Sequence, residues 1–257
     1  MALKILCVGD VVGMAGTRCL REKLPAKRRE LGVDVCIVNG ENSADGNGIL
    51  PATAGMIFEA GADVITGGNH SFRRREIFPQ LEEEGILLRL ANASRLLPGT
   101  GVCTVDRGRY QVTVVNLIGQ VYMDAADSPF DALDAALHAA GDPRLCVVDF
   151  HAEATAEKKA LGYYADGRVS AFFGTHTHVM TADEQILPCG TGFITDIGMT
   201  GPTQSVLGVR PEQSIERIRT GVSCRFAVAD GPCAVNAVLF TVDETTGHTV
   251  GVERLIF

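Results

Sequence analysis

Short apolar runs alternate with helix-like stretches through the first ninety residues, and no other feature constrains the fold as much. LKILCV (3–8) leads into GDVVG, and a helical pattern then covers 15–31, with Pro25 as a point where it can kink. VDVCIV (33–38) leads into NGENSADGNGI, and a short helix follows with Pro51 in its first turn, where proline fits. ADVIT (62–66) leads into GGNH and then an Arg/Glu-rich helix. Apolar strands that each precede a helix spell βαβ units and a largely parallel sheet.

The middle of the chain changes character. GVCTVDRGRYQVTVVNLIG (101–119) reads as two strands around a DRG turn, an antiparallel addition. FDALDAALHAAG (130–141) is helical, and LCVVDF (145–150) is a buried strand ending in His151. VSAFF runs into GTHTH, GFITDIG (192–198) is another strand, and the C-terminal stretch reads as a hairpin closed at TTGH. With no Pro/Gly/Ser-rich linker and no internal repeat, the 257 residues read as one mixed α/β domain, 1–257.

A formal net charge of -8 argues against gripping a nucleic-acid backbone by charge alone. The basic stretches LREKLPAKRRE (20–30) and FRRRE (72–76) read as solvated helix faces, so the charge does not call for RNA. An acidic protein that handles phosphates needs metal ions to invert the local field. The eight cysteines are scattered without a CxxC pair, and Cys7, Cys36 and Cys146 sit in apolar runs, as small hydrophobes do. No disulfide framework is expected. MALKILCVGD lacks the form of a signal peptide, and no apolar run has the length of a membrane span. The expected setting is cytoplasmic and reducing.

Polar residues collect where the strands end. The first strand delivers Asp10, the second Asn39, Glu41 and Asn42, and the third Asn69 and His70. A later strand delivers His151 and Glu153, and another His176 and His178. Ligands of open α/β sheets bind beyond the carboxyl ends of the strands. Four of the six histidines belong to this set. Imidazole and carboxylate without thiolate suit iron, manganese, zinc or nickel in a working rather than structural site. The donors suffice for two metals, with a glutamate such as Glu41 able to bridge them. Such a pair, roughly 3.5–4 Å apart, clamps phosphorus for in-line attack and makes hydroxide available near neutral pH.

Blander roles compete residue by residue. Asp10 fits a turn or helix cap, and Asn42 or Asn69 a turn. Glu153 reads as a helix cap or as a support to a ligand, and Asp149 as a hydrogen-bonding support. His138 and His248 read as structural or solvent-exposed.

GDVVG, NGEN, GGNH, DFHAEAT, GTHTHVMTADE and TDIGMTGP, in that order, resemble the YmdB-like branch of the calcineurin-like metallophosphoesterases. The likeness runs from Lys4 to about Gly208. The chain departs from the general superfamily pattern as that branch does: Asp10-Val11-Val12 lacks the usual His, and Glu41-Asn42 stands where others carry Gly-Asp.

The resemblance implies a four-layer α-β-β-α sandwich of two mixed sheets. It implies that Asp10 and His178 hold one metal, helped by Asn42, and that Asn69, His151 and His176 hold a second. Glu41 would bridge them, and His70 would be the general acid. It implies two transition-metal ions, iron or manganese with zinc also compatible, and hydrolysis of phosphodiesters, notably 2′,3′-cyclic nucleotides. Rival readings are a phosphomonoesterase or RNase on the same core, and a regulatory nucleotide-binding protein with little turnover. The loops 43–50, 120–130 and 198–210 are expected to shape the pocket, with Tyr122 and Phe130 the nearest candidates for base stacking. Alternating apolar residues in the C-terminal hairpin fit either core or an interface in a homo-oligomer.

Overall fold

The computed structural model describes residues 2–45 and 47–257. β1 (Ala2–Val8) runs into β2 (Asp10–Val11), followed by α1 (Gly13–Leu31), β3 (Val35–Asn39), α2 (Pro51–Glu59) and β4 (Val64–Thr66). A 3-10 turn (Arg75–Ile77) opens α3 (Phe78–Glu83). Next come β5 (Val102–Asp106), β6 (Gln111–Ile118), α4 (Pro129–Ala139), β7 (Cys146–His151), α5 (Thr155–Ala165) and β8 (Ala171–Thr175). The last third holds β9 (Gln185–Ile186), β10 (Gly192–Ile194), β11 (Met199–Pro202), α6 (Pro211–Thr220), β12 (Cys233–Ala234), β13 (Asn236–Asp243) and β14 (Thr249–Ile256).

These elements form mixed sheets. One has five strands in the order β14-β13-β1-β3-β4, another six in the order β5-β6-β7-β8-β10-β9, and a small third is β12-β11-β2. In the first, β1, β3 and β4 are mutually parallel and β13 lies antiparallel on the other side of β1. In the second, β6, β7, β8 and β10 are parallel, flanked by antiparallel β5 and β9.

Side-chain alternation explains why the strands read as continuously apolar. Leu3, Ile5 and Cys7 of β1 join Val112 and Val114 of β6, Phe173 of β8 and Phe240 of β13 in one core drawn from both sheets. The opposite face of the five-stranded sheet, with Leu6, Val8, Cys36 and Val38, packs on Leu20 and Leu24 of α1 and Ile57 of α2. The opposite face of the six-stranded sheet, with Leu117, Val148 and Phe150, packs on Leu133 and Leu137 of α4 and Leu161 of α5. Each such side chain, fully withdrawn from water, contributes about 1.5–3 kcal/mol before entropy is counted.

Several element boundaries differ from the sequence reading. α1 begins at Gly13 and continues through Pro25 to Gly32, whose left-handed backbone (φ 64°) caps it. The helix expected directly after GGNH starts only at Phe78, with Pro79 in its first turn. Of FRRRE, residues 72–74 are turn or irregular and only Arg75 and Glu76 are helical, in the 3-10 turn; Arg74 reaches over to the carbonyls of Asp45 and Asn47. Of GFITDIG only Gly192–Ile194 is strand (β10); residues 195–198, which carry Asp196, are irregular and lead into β11. All eight cysteines are free, with Cys7, Cys36 and Cys146 buried. No helix among the described residues is long and apolar enough to cross a membrane.

Candidate metal centre

The parallel strands of both large sheets direct their carboxyl ends to one place. β1 leads to Asp10, β3 to Glu41 and Asn42, β4 to Asn69 and His70, β7 ends in His151, and β8 leads to His176 and His178. Asp10, Glu41 and His151 each offer a ligand atom within 4.8 Å of the others, and all three are buried. His151 Nε2 lies 2.9 Å from Asn69 Oδ1, 3.1 Å from His176 Nδ1 and 3.5 Å from Glu41 Oε2. His178 Nε2 lies 4.0 Å from Asp10 Oδ1 and 3.3 Å from Asn42 Nδ2. All eight expected site residues therefore share one centre. His138 and His248 are exposed and lie outside it.

The partners of the rings indicate which nitrogen faces inward. Thr175 Oγ1 donates to Asp149 Oδ1 (2.7 Å) and so accepts from His151 Nδ1 (2.9 Å), which leaves the Nε2 lone pair facing the centre. Asp149 Oδ2 accepts from Asn39 Nδ2 and Thr66 Oγ1, so Asp149 supports the ring through Thr175. His178 Nδ1 donates to the Leu207 carbonyl at 3.0 Å, again leaving Nε2 inward. Burial pushes His151 down to about 3 and also lowers His176 and His178, so these imidazoles stand neutral, in the form that donates a lone pair. Burial raises Asp10, and the nearby Glu41 carboxylate raises it further. Burial alone would raise Glu41 too, but the hydrogen bonds it accepts from the His70 ring and backbone N–H oppose this, and the carboxyl is held below its usual range.

Asp10 Oδ1 is buried without a hydrogen-bond partner. Uncompensated buried oxygens are costly. Here the orphan faces neutral imidazole lone pairs and a second carboxylate, an acceptor-rich, proton-poor arrangement that a cation would complete. The donor set of nitrogen and oxygen without sulfur fits a transition metal.

Backbone strain marks the same place. His176 and His178 adopt positive φ (102° and 63°), which non-glycine residues rarely do. Two carboxylates pin the loop between them: Asp10 Oδ2 accepts the His176 N–H and Asp196 Oδ2 the Thr177 N–H, both at 3.1 Å. Asp196 Oδ2 also pairs with Lys158 Nζ at 2.7 Å, both side chains fully buried. The sequence reading assigned neither Asp196 nor Lys158 a role. A lysine inside the otherwise ordinary helix α5 gives no local signal.

Glu153 is not a helix cap: Ala154 occupies that position on α5, and no side chain caps it. Glu153 Oε2 instead approaches His176 Nε2 at 3.1 Å. Nor is Asp10 a cap, since it lies in β2 and Val12 precedes α1. Asn42 does not close a turn with its side chain; its amide bonds Glu41 Oε1 at 2.6 Å and its oxygen meets His70 Nδ1 at 2.8 Å.

The centre opens into a cleft of about 350 Å³ lined by His70, Glu153, His176 and His178 together with the apolar Leu207, Val209, Phe226 and Val228. Ala44 and residues 207–209 bring two of the three expected loops to it; Gly46 of the first lies outside the described residues. Loop 120–130 does not line it. Tyr122 is 88% exposed away from the cleft, and Phe130 packs edge-on against Tyr164 at 5.2 Å, so neither is placed to stack a base there. Phe226, which no motif announces, is the cleft's aromatic residue.

A family model described as YmdB-like protein matches residues 6–255. The chain belongs to the YmdB-like family. It is 41% identical over 255 residues to the 2′,3′-cyclic-nucleotide 2′-phosphodiesterase of Bacillus subtilis, covering 99% of this chain and 97% of that protein. It superposes on a crystal structure described as a novel phosphatase from Mycoplasma pneumoniae with a TM-score of 0.94 at 34% identity, covering 100% and 94% of the two chains. A putative 5′-nucleotidase from Staphylococcus aureus shares the fold at TM-score 0.60 and 16% identity, across 99% of this chain and 54% of its own. As a YmdB-like protein the chain is a metal-dependent phosphoesterase, a hydrolase built on a mixed α/β scaffold of the metallophosphoesterase kind.

Proposed function

We propose that the protein is a dinuclear metal-dependent phosphodiesterase of the cytoplasm that hydrolyses 2′,3′-cyclic nucleotides. The observation that carries this reading is the orphaned Asp10 Oδ1 among neutral, inward-facing imidazoles. The name of the Bacillus relative supports the substrate. The whole chain acts as one domain, and its layers are taken as helices, two facing sheets, helices.

Asp10 and His178, with Asn42 beside them, would hold one metal; Asn69, His151 and His176 would hold the other, with Glu41 shared. Bound there, iron or manganese would supply positive charge for the phosphoryl oxygens and lower the pKa of an attacking water. The chain's own residues supply the rest. Burial keeps the three imidazoles neutral, so they bind without first losing a proton. Asp10 and Asp196 hold the backbone between His176 and His178 in its strained form. His70 offers its ring to the cleft while Nδ1 faces Glu41 Oε1 at 3.1 Å and Asn42 Oδ1 at 2.8 Å. Two acceptors hold the Nδ1 proton in place, so His70 would act as an imidazolium, protonated at both nitrogens, that hands its Nε2 proton to the departing ribose oxygen and is left as the Nδ1–H imidazole.

His70→Ala is expected to keep its metal content while kcat for a 2′,3′-cyclic nucleotide falls about 100-fold or more. Unchanged kcat would remove His70 from the role. Parallel assays on a phosphomonoester and a short RNA separate the phosphodiesterase from the alternatives on the same core. Elemental analysis of the native protein and of His176→Ala/His178→Ala should find two transition-metal ions and their loss. A native protein that takes up neither iron nor manganese would sink the dinuclear reading.

A further inference from the structure

We propose that Phe226, with the apolar wall around it, is the subsite that receives the nucleobase of the substrate by stacking. The inference rests on the reading of the protein as a nucleotide phosphodiesterase and adds the residue that would set its substrate preference. The cleft has two kinds of lining: the imidazoles of His70, His176 and His178, and the apolar Leu207, Val209, Phe226 and Val228, the last of which bridges to Val209. Its volume, about 350 Å³, is at the small end of the range for small-molecule sites. A phosphate held at the imidazoles leaves the apolar wall for the rest of the molecule, and the flat apolar part of a nucleotide is its base.

Phe226 is held in place rather than merely present. The Arg217 guanidinium lies 5.1 Å from the ring centre. The next residue is fixed on both sides: the Ala227 N–H donates to Gln213 Oε1 at 2.8 Å, and its carbonyl accepts the Arg210 N–H at 3.1 Å. Val228 bridges to Val209. A prefixed ring loses little freedom when it stacks. The wall is also tied to the metal centre, because the Leu207 carbonyl is the acceptor that orients His178. Leu207, Val209, Phe226 and Val228 carry no side-chain donor or acceptor, so the wall senses stacking surface and not the edge of a particular base. Purines, with the larger surface, should bind better than pyrimidines.

The test is calorimetric titration of the metal-loaded protein with adenosine 3′-monophosphate, cytidine 3′-monophosphate and inorganic phosphate, for the native chain, Phe226→Ala and Phe226→Tyr. The expected result is about tenfold weaker adenosine 3′-monophosphate binding in Phe226→Ala, with phosphate affinity within about twofold of native and Phe226→Tyr restored. Metal content should be the same in all three. Phosphate and nucleotide weakened equally, or a native protein that binds the nucleotide no better than phosphate, would overturn the proposal. Titration needs no turnover. A protein that hydrolyses no cyclic nucleotide yet keeps the Phe226-dependent difference would therefore lose the activity reading and retain the subsite.

Discussion

One methyl group at Gly68 would land on the Glu41 carboxylate and the His151 ring, so this position tolerates only hydrogen. Gly68→Ala is expected to shift those two groups apart, lower metal content measured by elemental analysis, and reduce activity about 100-fold, as small misplacements do. Native metal content in that variant would contradict the packing argument. His151 makes a second prediction, in metal-free protein. Its folded pKa is depressed to about 3 against about 6.5 when unfolded. Between those values the unfolded chain carries a proton that the folded chain refuses. Stability should therefore be level above about pH 6.5 and fall on acidification below it, by up to about 1.4 kcal/mol per pH unit from this residue. Urea unfolding of chelator-treated protein at several pH values should show a shallower slope in His151→Gln. At this scale the sequence was informative wherever a polar residue ended an apolar run, because little besides a site justifies five such ends. It was silent on Lys158, Asp196 and Phe226, whose importance comes from neighbours distant in the chain.

At the scale of elements, α5 and the segment between β10 and β11 meet at the Lys158–Asp196 pair, which underlies the loop carrying His176 and His178. Lys158→Met leaves Asp196 buried and unpaired, a change that typically costs about 3–5 kcal/mol. Denaturant unfolding should register it, and Lys158→Met/Asp196→Asn should recover part of the loss. If the single variant unfolds like the native chain, the pair does not hold the loop. β1, β3 and β7 were legible because nearly every residue is buried and most are apolar. β2, β11 and β12 were not: two to four residues carry no periodicity, yet β2 pairs Asp10 with Met199 and closes the third sheet. The helix after GGNH was placed too early because its would-be first turn is committed to the site. The His70 N–H donates to Glu41 Oε2, and the Gly68 and Ser71 N–H groups close local turns.

For the molecule as a whole, the proposed metal centre would couple folding to cation supply. A metal at about 100 times its Kd adds about 3 kcal/mol to stability. In a chain of this size that corresponds to roughly 6–12 °C in Tm. Thermal melts with manganese and with chelator should differ by that amount, and coincident melts would mean that the centre holds no metal tightly. Both large sheets are needed for the donor set, since Asp10, Glu41 and Asn69 follow strands of one and His151 and His176 follow strands of the other. β1 sits between β3 and β13, and β13 begins only at Asn236. During synthesis β1, the strand that leads to Asp10, waits with one edge open for a partner that begins only at Asn236. A nascent chain that has passed His178 but not reached β13 holds every proposed ligand and no finished sheet to present them, so metal uptake at the proposed centre is expected only once β13 is in place.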